Sequence, residues 1–369
     1  MLIKNGLVFT DGAFKKCDVS YEEKIRDIGA LPGEADIDAE GLYVVPGFVD
    51  IHTHGALAQD FSDGKPEGLA IAAEHYADHG VTSFCASTMT LKEEVLTPAM
   101  KAIRPYVKSE TGAKCAGVHL EGPFLSYAKR GAQDPSNLHK PDVALFERLN
   151  EACGGRVRQV TVAPEEDGAM EFIQAVSKVC TVSLGHSAAD YDTAKKAYEA
   201  GASHATHLFN GMPALGHRAP GIVGAAYDCG ATVELICDGQ HINPCVVRIV
   251  HDLFGKNFCI ISDSLRCAGM PDGPSDLAGQ PIIMQNGLAR LLDGTIAGSA
   301  ANIHDEVRNV VSFGIPLEDA ITSATESPAR AIRMENEIGS IRKGLAADFV
   351  LLDQDLGIRG VIIDGVKVR

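Results

Sequence analysis

Apolar runs of seven to nine residues, rich in Val, Ile, Phe and Thr, recur along the chain. They are GFVDIHTH (47–54), VTSFCAST (81–88), CAGVHLEG (115–122), VRQVTVAPE (157–165), TVSLGHS (181–187), HATHLFN (204–210), TVELICDG (232–239) and FCIISDS (258–264). Bounded by turn residues, such runs read as strands covered on both faces. Most are separated by segments with a helical rhythm, at 66–79, 92–108, 142–152, 168–178, 190–200 and 243–254, some opened by capping residues such as Asp190 and Asn243. Strands alternating with helices specify a parallel sheet with right-handed crossovers. Eight units predict a (β/α)8 barrel, with a doubly wound open sheet as the alternative.

The chain ends have another rhythm. Residues 2–9, 42–45, 347–353 and 359–368 are strand-like with no helices among them. Neither end can bury a face alone, so the two are expected to meet in one small β-domain (1–45 with 336–369) beside a catalytic barrel (46–335). Between the eighth run and the tail, 301–313 and 316–326 read as helices.

Polar residues cluster at the C-terminal ends of the runs: His52 and His54, Glu121, His186, His207, Asp238 and Asp263. In a barrel those ends share one face, where barrel active sites lie. His52 and His54, two apart on a strand, point to one side and can offer two nitrogens to one divalent ion; a structural histidine pair would look the same. Glu121 ends its run before Gly-Pro-Phe, where its carboxylate needs a cation or a salt-bridge partner. With His186 and His207, which end neighbouring runs, it completes an N, N, O set that leaves a zinc-like ion open to water. Asp263, outside that set, is placed to act as general acid and base, or to cap a turn. His119 and His204 read as packing or supporting residues.

Composition narrows the class. With 33 Lys and Arg against 49 Asp and Glu the net charge is −16, which excludes nucleic acid and anionic membrane as partners. The start, MLIKNGLVFTDGAF, lacks the basic opening and apolar core of a signal peptide, and no apolar run approaches the ~18 residues of a membrane span. Ten scattered cysteines, never C-x-x-C, suit buried thiols in a reducing compartment. A cytoplasmic location is expected.

Taken together, D-x-H-x-H-G (50–55), HLEGPF (119–124), GHS (185–187), THLFNGM (206–212), RAPGIVGAA (218–226), DGQH (238–241), the SDS segment at Asp263 with GMPDG (269–273), and AGSA (297–300) resemble the N-acetylglucosamine-6-phosphate deacetylases of the amidohydrolase superfamily. The resemblance runs from about residue 40 to the C-terminus. It implies a distorted TIM-type barrel with a small β-sandwich from both termini, and hydrolysis of N-acetylglucosamine 6-phosphate to glucosamine 6-phosphate and acetate. It further implies metal ligation by Glu121, His186 and His207, a second ion at His52 and His54 in members that hold one (zinc or iron), and Asp263 as acid and base. Ala132, Gln133, Asn210, Gly211, Arg218, His241, Ile296, Ala297 and Gly298 match substrate-contacting positions. Arg218 and His241 match residues that complete a partner subunit's phosphate pocket, which implies a homodimer. The chain departs from the family pattern at SFCAST, at Ser264, at Gly211, and at Gln133 where some members have His. Those departures bring in N-acetylgalactosamine 6-phosphate as an alternative substrate. A cyclic-amide hydrolase is a further alternative, although such relatives usually bridge their metals with a carboxylated lysine.

Overall fold

The computed structural model describes residues 1–369. Its centre is one sheet of eight parallel strands in sequential order: β1 (Phe48–Thr53), β2 (Val81–Thr88), β3 (Lys114–Glu121), β4 (Val157–Val162), β5 (Thr181–Leu184), β6 (His204–Ala205), β7 (Thr232–Ile236) and β8 (Phe258–Ile261). Each run read as a strand supplies one of them. Beyond the last residues of β8 the Asp263 N–H donates to the His52 carbonyl at 2.9 Å, and the His54 N–H to that of Ser264 at 2.8 Å, so the sheet closes on itself at its C-terminal end. Helices Pro66–Asp78, Glu93–Ile103, Val143–Ala152, Ala169–Val176, Tyr191–Ala200 and Pro244–Phe254 fall on the expected segments, the last two capped by the Asp190 and Asn243 side chains. The β1, β2 and β3 side chains are buried almost without exception, as strands packed on both faces require.

The two chain ends do share a sheet. Tyr43–Pro46 pairs antiparallel with Phe349–Leu352, and six strands from residues 7–46 and 349–367 make one layer, with a second four-stranded layer from residues 2–38. Alternation along this shared sheet feeds two cores. Val44, Phe349 and Leu351 face the small terminal core, whereas Val45, Val350 and Leu352 face the main one.

Three elements go beyond the sequence reading. Helix Gly221–Asp228 lies in a Gly- and Ala-rich stretch with no clear polar face, and Glu326–Ala331 adds a last short helix. Between β8 and helix Ile303–Ser312 stands a four-stranded antiparallel sheet, Gly273–Leu277, Gln280–Gln285, Leu288–Leu291 and Ile296–Ser299. Its first two turns, Ala278-Gly279 and Asn286-Gly287, have both residues at positive φ, the geometry that a two-residue hairpin demands. No helix is long and apolar enough to cross a membrane.

Candidate active site

Five strand ends aim their side chains into the barrel mouth. Two donor triads result, His52, His54 and Glu121 on one side and Glu121, His186 and His207 on the other, with Glu121 common to both. Glu121 Oε1 lies 3.1 Å from His186 Nε2 and 3.0 Å from His207 Nε2, and those two nitrogens are 3.1 Å apart. Its Oε2 is 3.3 Å from His54 Nε2. Asp263 Oδ1 stands 3.4 Å from His54 Nε2 and 3.5 Å from His52 Nε2. His186, His207 and Asp263 all have positive φ, at 46°, 28° and 47°, just past the ends of their strands. That conformation is costly for non-glycine residues and concentrates at functional positions.

The donor chemistry suits a divalent cation. His186 Nδ1 donates to the Lys129 carbonyl and His52 Nδ1 to Glu234, so in the neutral rings both Nε2 atoms present bare lone pairs to the cluster. His52 Nε2 is buried with no hydrogen-bond partner. Glu121 Oε1, His186 Nε2 and His207 Nε2, about 3 Å apart, match the ~3.3 Å ligand-to-ligand edge of a tetrahedron built with metal–nitrogen bonds of about 2.05 Å. Without a cation, protons bind the cluster together. Burial alone would discharge His54, yet Asp263 and Glu121 lift it to about 9. Burial likewise opposes ionisation of Glu121, but His186, His207 and His52 hold its carboxyl well below the usual range. Asp263, buried against His52 and His54, is also held down. A metal ion displaces such protons when it binds.

Beneath the cluster lies a residue that the sequence reading passed over. Glu234, in the middle of β7 and fully buried, accepts from His52 Nδ1 at 3.0 Å, His204 Nε2 at 3.0 Å, Gln159 Nε2 at 2.6 Å and the His207 N–H at 3.2 Å. Burial resists its charge, but His52 and His204 keep its carboxyl well below normal. The signal was a lone carboxylate inside the otherwise apolar run TVELI. His119 sits between the Ser87 and Thr161 hydroxyls, and burial, reinforced by His52, pushes its imidazole toward the neutral form.

A cavity of about 270 Å³ opens above the cluster. Ala132, Gln133, Asn210, Gly211, His241, Ile296, Ala297 and Gly298 line it together with His54, Glu121, His186, His207 and Asp263. Both ends of the Gln133 amide are engaged: Nε2 donates to Glu121 Oε2 at 2.7 Å and Oε1 accepts from the Thr90 N–H at 3.0 Å. His241 Nδ1 bonds Asp238 at 2.7 Å, leaving a buried, unpartnered Nε2. Arg218 is not brought in: it is exposed on the loop before helix Gly221–Asp228 and does not line its own chain's cavity. The glycines that make room for the His186 imidazole are Gly131 and Gly211, where a Cβ would come within 3.2 and 3.0 Å of the ring. Gly185, the neighbour in sequence, instead admits Thr206 and Thr161.

The amidohydrolase family model matches residues 43–368. Among characterised relatives, the N-acetylglucosamine-6-phosphate deacetylase of Bacillus subtilis (strain 168) is 33% identical over 96% of this chain and 90% of its own. That of Bos taurus is 36% identical, over 90% of this chain and 84% of its own. The N-acetylgalactosamine-6-phosphate deacetylase of Escherichia coli O157:H7 is 34% identical, over 89% of this chain and 88% of its own. The crystal structure of the N-acetyl-D-glucosamine-6-phosphate deacetylase of Mycobacterium smegmatis superposes with a TM-score of 0.94 at 34% identity, over 100% of both chains.

Proposed function

The chain belongs to the amidohydrolase family, and from that premise we propose that it deacetylates N-acetylglucosamine 6-phosphate, releasing glucosamine 6-phosphate and acetate in amino-sugar catabolism. One observation carries the reading: Glu121 is shared by two histidine pairs in a cavity whose one other carboxylate, Asp263, reaches both His52 and His54.

Glu121, His186 and His207 would hold one divalent ion, with His52 and His54 available to a second; the N and O donors suit zinc or iron. When bound, such an ion polarises the amide carbonyl and acidifies water. The rest falls to the chain's own side chains. Asp263 takes a proton from the attacking water as the C–O bond forms and delivers it to the nitrogen as the C–N bond breaks. Acetate and the free amine leave without any covalent bond to the protein. Gln133 fixes Glu121 Oε2 and so keeps Oε1 turned to His186 and His207. Asn210, Gly211 and the unpartnered His241 Nε2 bind the sugar phosphate beside the metal ligands; His241 lines its own chain's cavity, so the cross-subunit role its motif implies is left to Arg218 alone. Ala132 and the Ile296, Ala297 and Gly298 stretch shape the opposite wall. Arg218, exposed and not part of its own cavity's lining, is assigned to the phosphate in the cavity of a second copy, making the working unit a homodimer. All ten cysteines are free, which supports a reducing, cytoplasmic compartment.

A second reading, N-acetylgalactosamine 6-phosphate as substrate, is favoured by the Escherichia coli O157:H7 relative. Against a cyclic-amide hydrolase stands the cavity lining, which includes no lysine to carboxylate. The test is acetate release from both sugar phosphates, and ring opening of a dihydropyrimidine, on protein of defined metal content. Cleavage of one or both sugar phosphates is expected. Turnover of the cyclic amide alone would overturn the reading.

A further inference from the structure

A second cavity, of about 440 Å³, opens at the opposite end of the barrel. Its walls lie where strands begin: Ser83 near the start of β2, Lys114 to Ala116 on β3, Arg156 just before β4 and Arg158 on it. Lys24 and Ala346, an isolated antiparallel bridge beside the terminal strands, and the 334–338 segment close it. At about 3.3 Å per residue, β3 carries Glu121 some 23 Å from this opening.

Five cations surround the space, Lys24, Arg104, Lys114, Arg156 and Arg158, against the carboxylates Asp364 and Glu337. That reverses the sign of a chain whose net charge is −16. The fold accounts for two of them. Lys114 pairs with Asp348 and Asp364 at 2.7 Å each. Arg156 donates to the carbonyls of Ile103, Arg104, Tyr106 and Cys115, pinning the end of a helix to a strand. The other three have no such occupation. Arg158 uses only Nε, on the Ala116 carbonyl at 3.2 Å, and neither Nη group bonds to the protein. Its stem lies over Gly117, where a Cβ would come within 2.4 Å of the Arg158 Cγ. The side chains of Arg104 and Lys24 make no hydrogen bond or ion pair, although both line the cavity.

Five cations against two carboxylates leave an excess of like charge that repels itself, and a guanidinium with both Nη groups free is the natural fork for an oxyanion. Cys115, Ala116, Met334 and Ile338 add an apolar floor, and the volume is that of a small-molecule site. We propose that this cavity binds a small organic oxyanion, its charged head held by Arg158, Arg104 and Lys24 and its apolar body laid on that floor.

The test titrates metal-loaded protein calorimetrically with phenyl phosphate and, separately, with benzoate, so that the probe that binds identifies the head group. The same titrations on the R104Q/R158Q variant separate this cavity from the metal cluster. The expected result is a binding event in the wild-type protein that the double variant weakens at least tenfold, with acetate release and Tm unchanged. Superimposable isotherms for both proteins with both probes, or no heat at millimolar probe, would overturn the proposal. Should the double variant fail to fold, K24Q at an exposed position gives the same discrimination: a severalfold weaker isotherm supports the site and an unchanged one refutes it.

Discussion

Replacing Glu234 by Gln tests whether the buried carboxylate under the cluster sets the direction in which the histidines face. The wild-type side chain accepts four hydrogen bonds, two on each oxygen. A glutamine of the same shape keeps one acceptor oxygen and turns its NH2 toward two donors. If the NH2 meets Gln159 and His204, they escape the clash only by flipping the Gln159 amide and moving the His204 proton to Nδ1, each of which points a buried donor at no partner. If it meets His52 and the His207 N–H, His52 relieves the conflict only by moving its proton from Nδ1 to Nε2, the nitrogen that faces the cluster. Either way one or two buried donors are orphaned, at about 1–3 kcal/mol each, so the expected loss of stability is roughly 1–6 kcal/mol. Metal affinity should fall about 10–100-fold, the usual cost of disturbing a group that orients a ligand. Denaturant unfolding of metal-free protein reads the first number, and competition against a chromogenic chelator reads the second. Wild-type stability together with wild-type metal affinity in E234Q would refute the reasoning.

Asp263→Asn should lower kcat by about 10²–10⁴ while the metal content of the purified protein stays at the wild-type level; activity within threefold of wild type would remove Asp263 from the proton-transfer role. Arg218→Ala should raise KM for the sugar phosphate with little change in kcat or Tm, and mixing it with a catalytically dead D263N copy should restore wild-type KM in the hybrid sites if the guanidinium acts across subunits. In metal-free protein, His54 has its pKa lifted to about 9, above the unfolded value of about 6.5. Its contribution, roughly 3 kcal/mol, is therefore fully present below pH 6.5 and is lost as the pH rises toward 9; urea midpoints that stay flat from pH 6.5 to 9 would contradict the coupling. Chelation should lower Tm, and adding back zinc should restore it, the recovery growing with metal concentration.

The barrel was legible because its strands are buried on both faces and so appear as unbroken apolar runs that change to His, Glu or Asp only where they reach the mouth. The strand ends carrying His52, Glu121, His186, His207 and Asp263 could be placed on one face from that rule alone, though their roles rest on chemistry. The sheet over residues 273–299 escaped because strands such as QPIIMQ alternate between exposed and buried positions, and their short register is set by turns. Asn286-Gly287 was the signal that could have found it. Glu234 escaped for a different reason: its four partners lie between 27 and 182 positions away, and only closure of the barrel brings them together. Arg218 shows the limit from the other side. A motif names the residue, but a single chain gives its side chain nothing to hold.

The sheet that joins the two ends of the chain has a temporal meaning. Tyr43–Pro46 is synthesised early, and its partner Phe349–Leu352 emerges some three hundred residues later. At about 5–20 residues per second, that strand edge waits on the order of 15–60 s for its neighbour on the ribosome. Through that interval Val44 and Val45 have neither the small core nor the main one completed around them. A chain cut short before residue 349 keeps all eight barrel strands yet leaves this edge open, so truncated products should be cleared or aggregate rather than accumulate as a trimmed, working barrel.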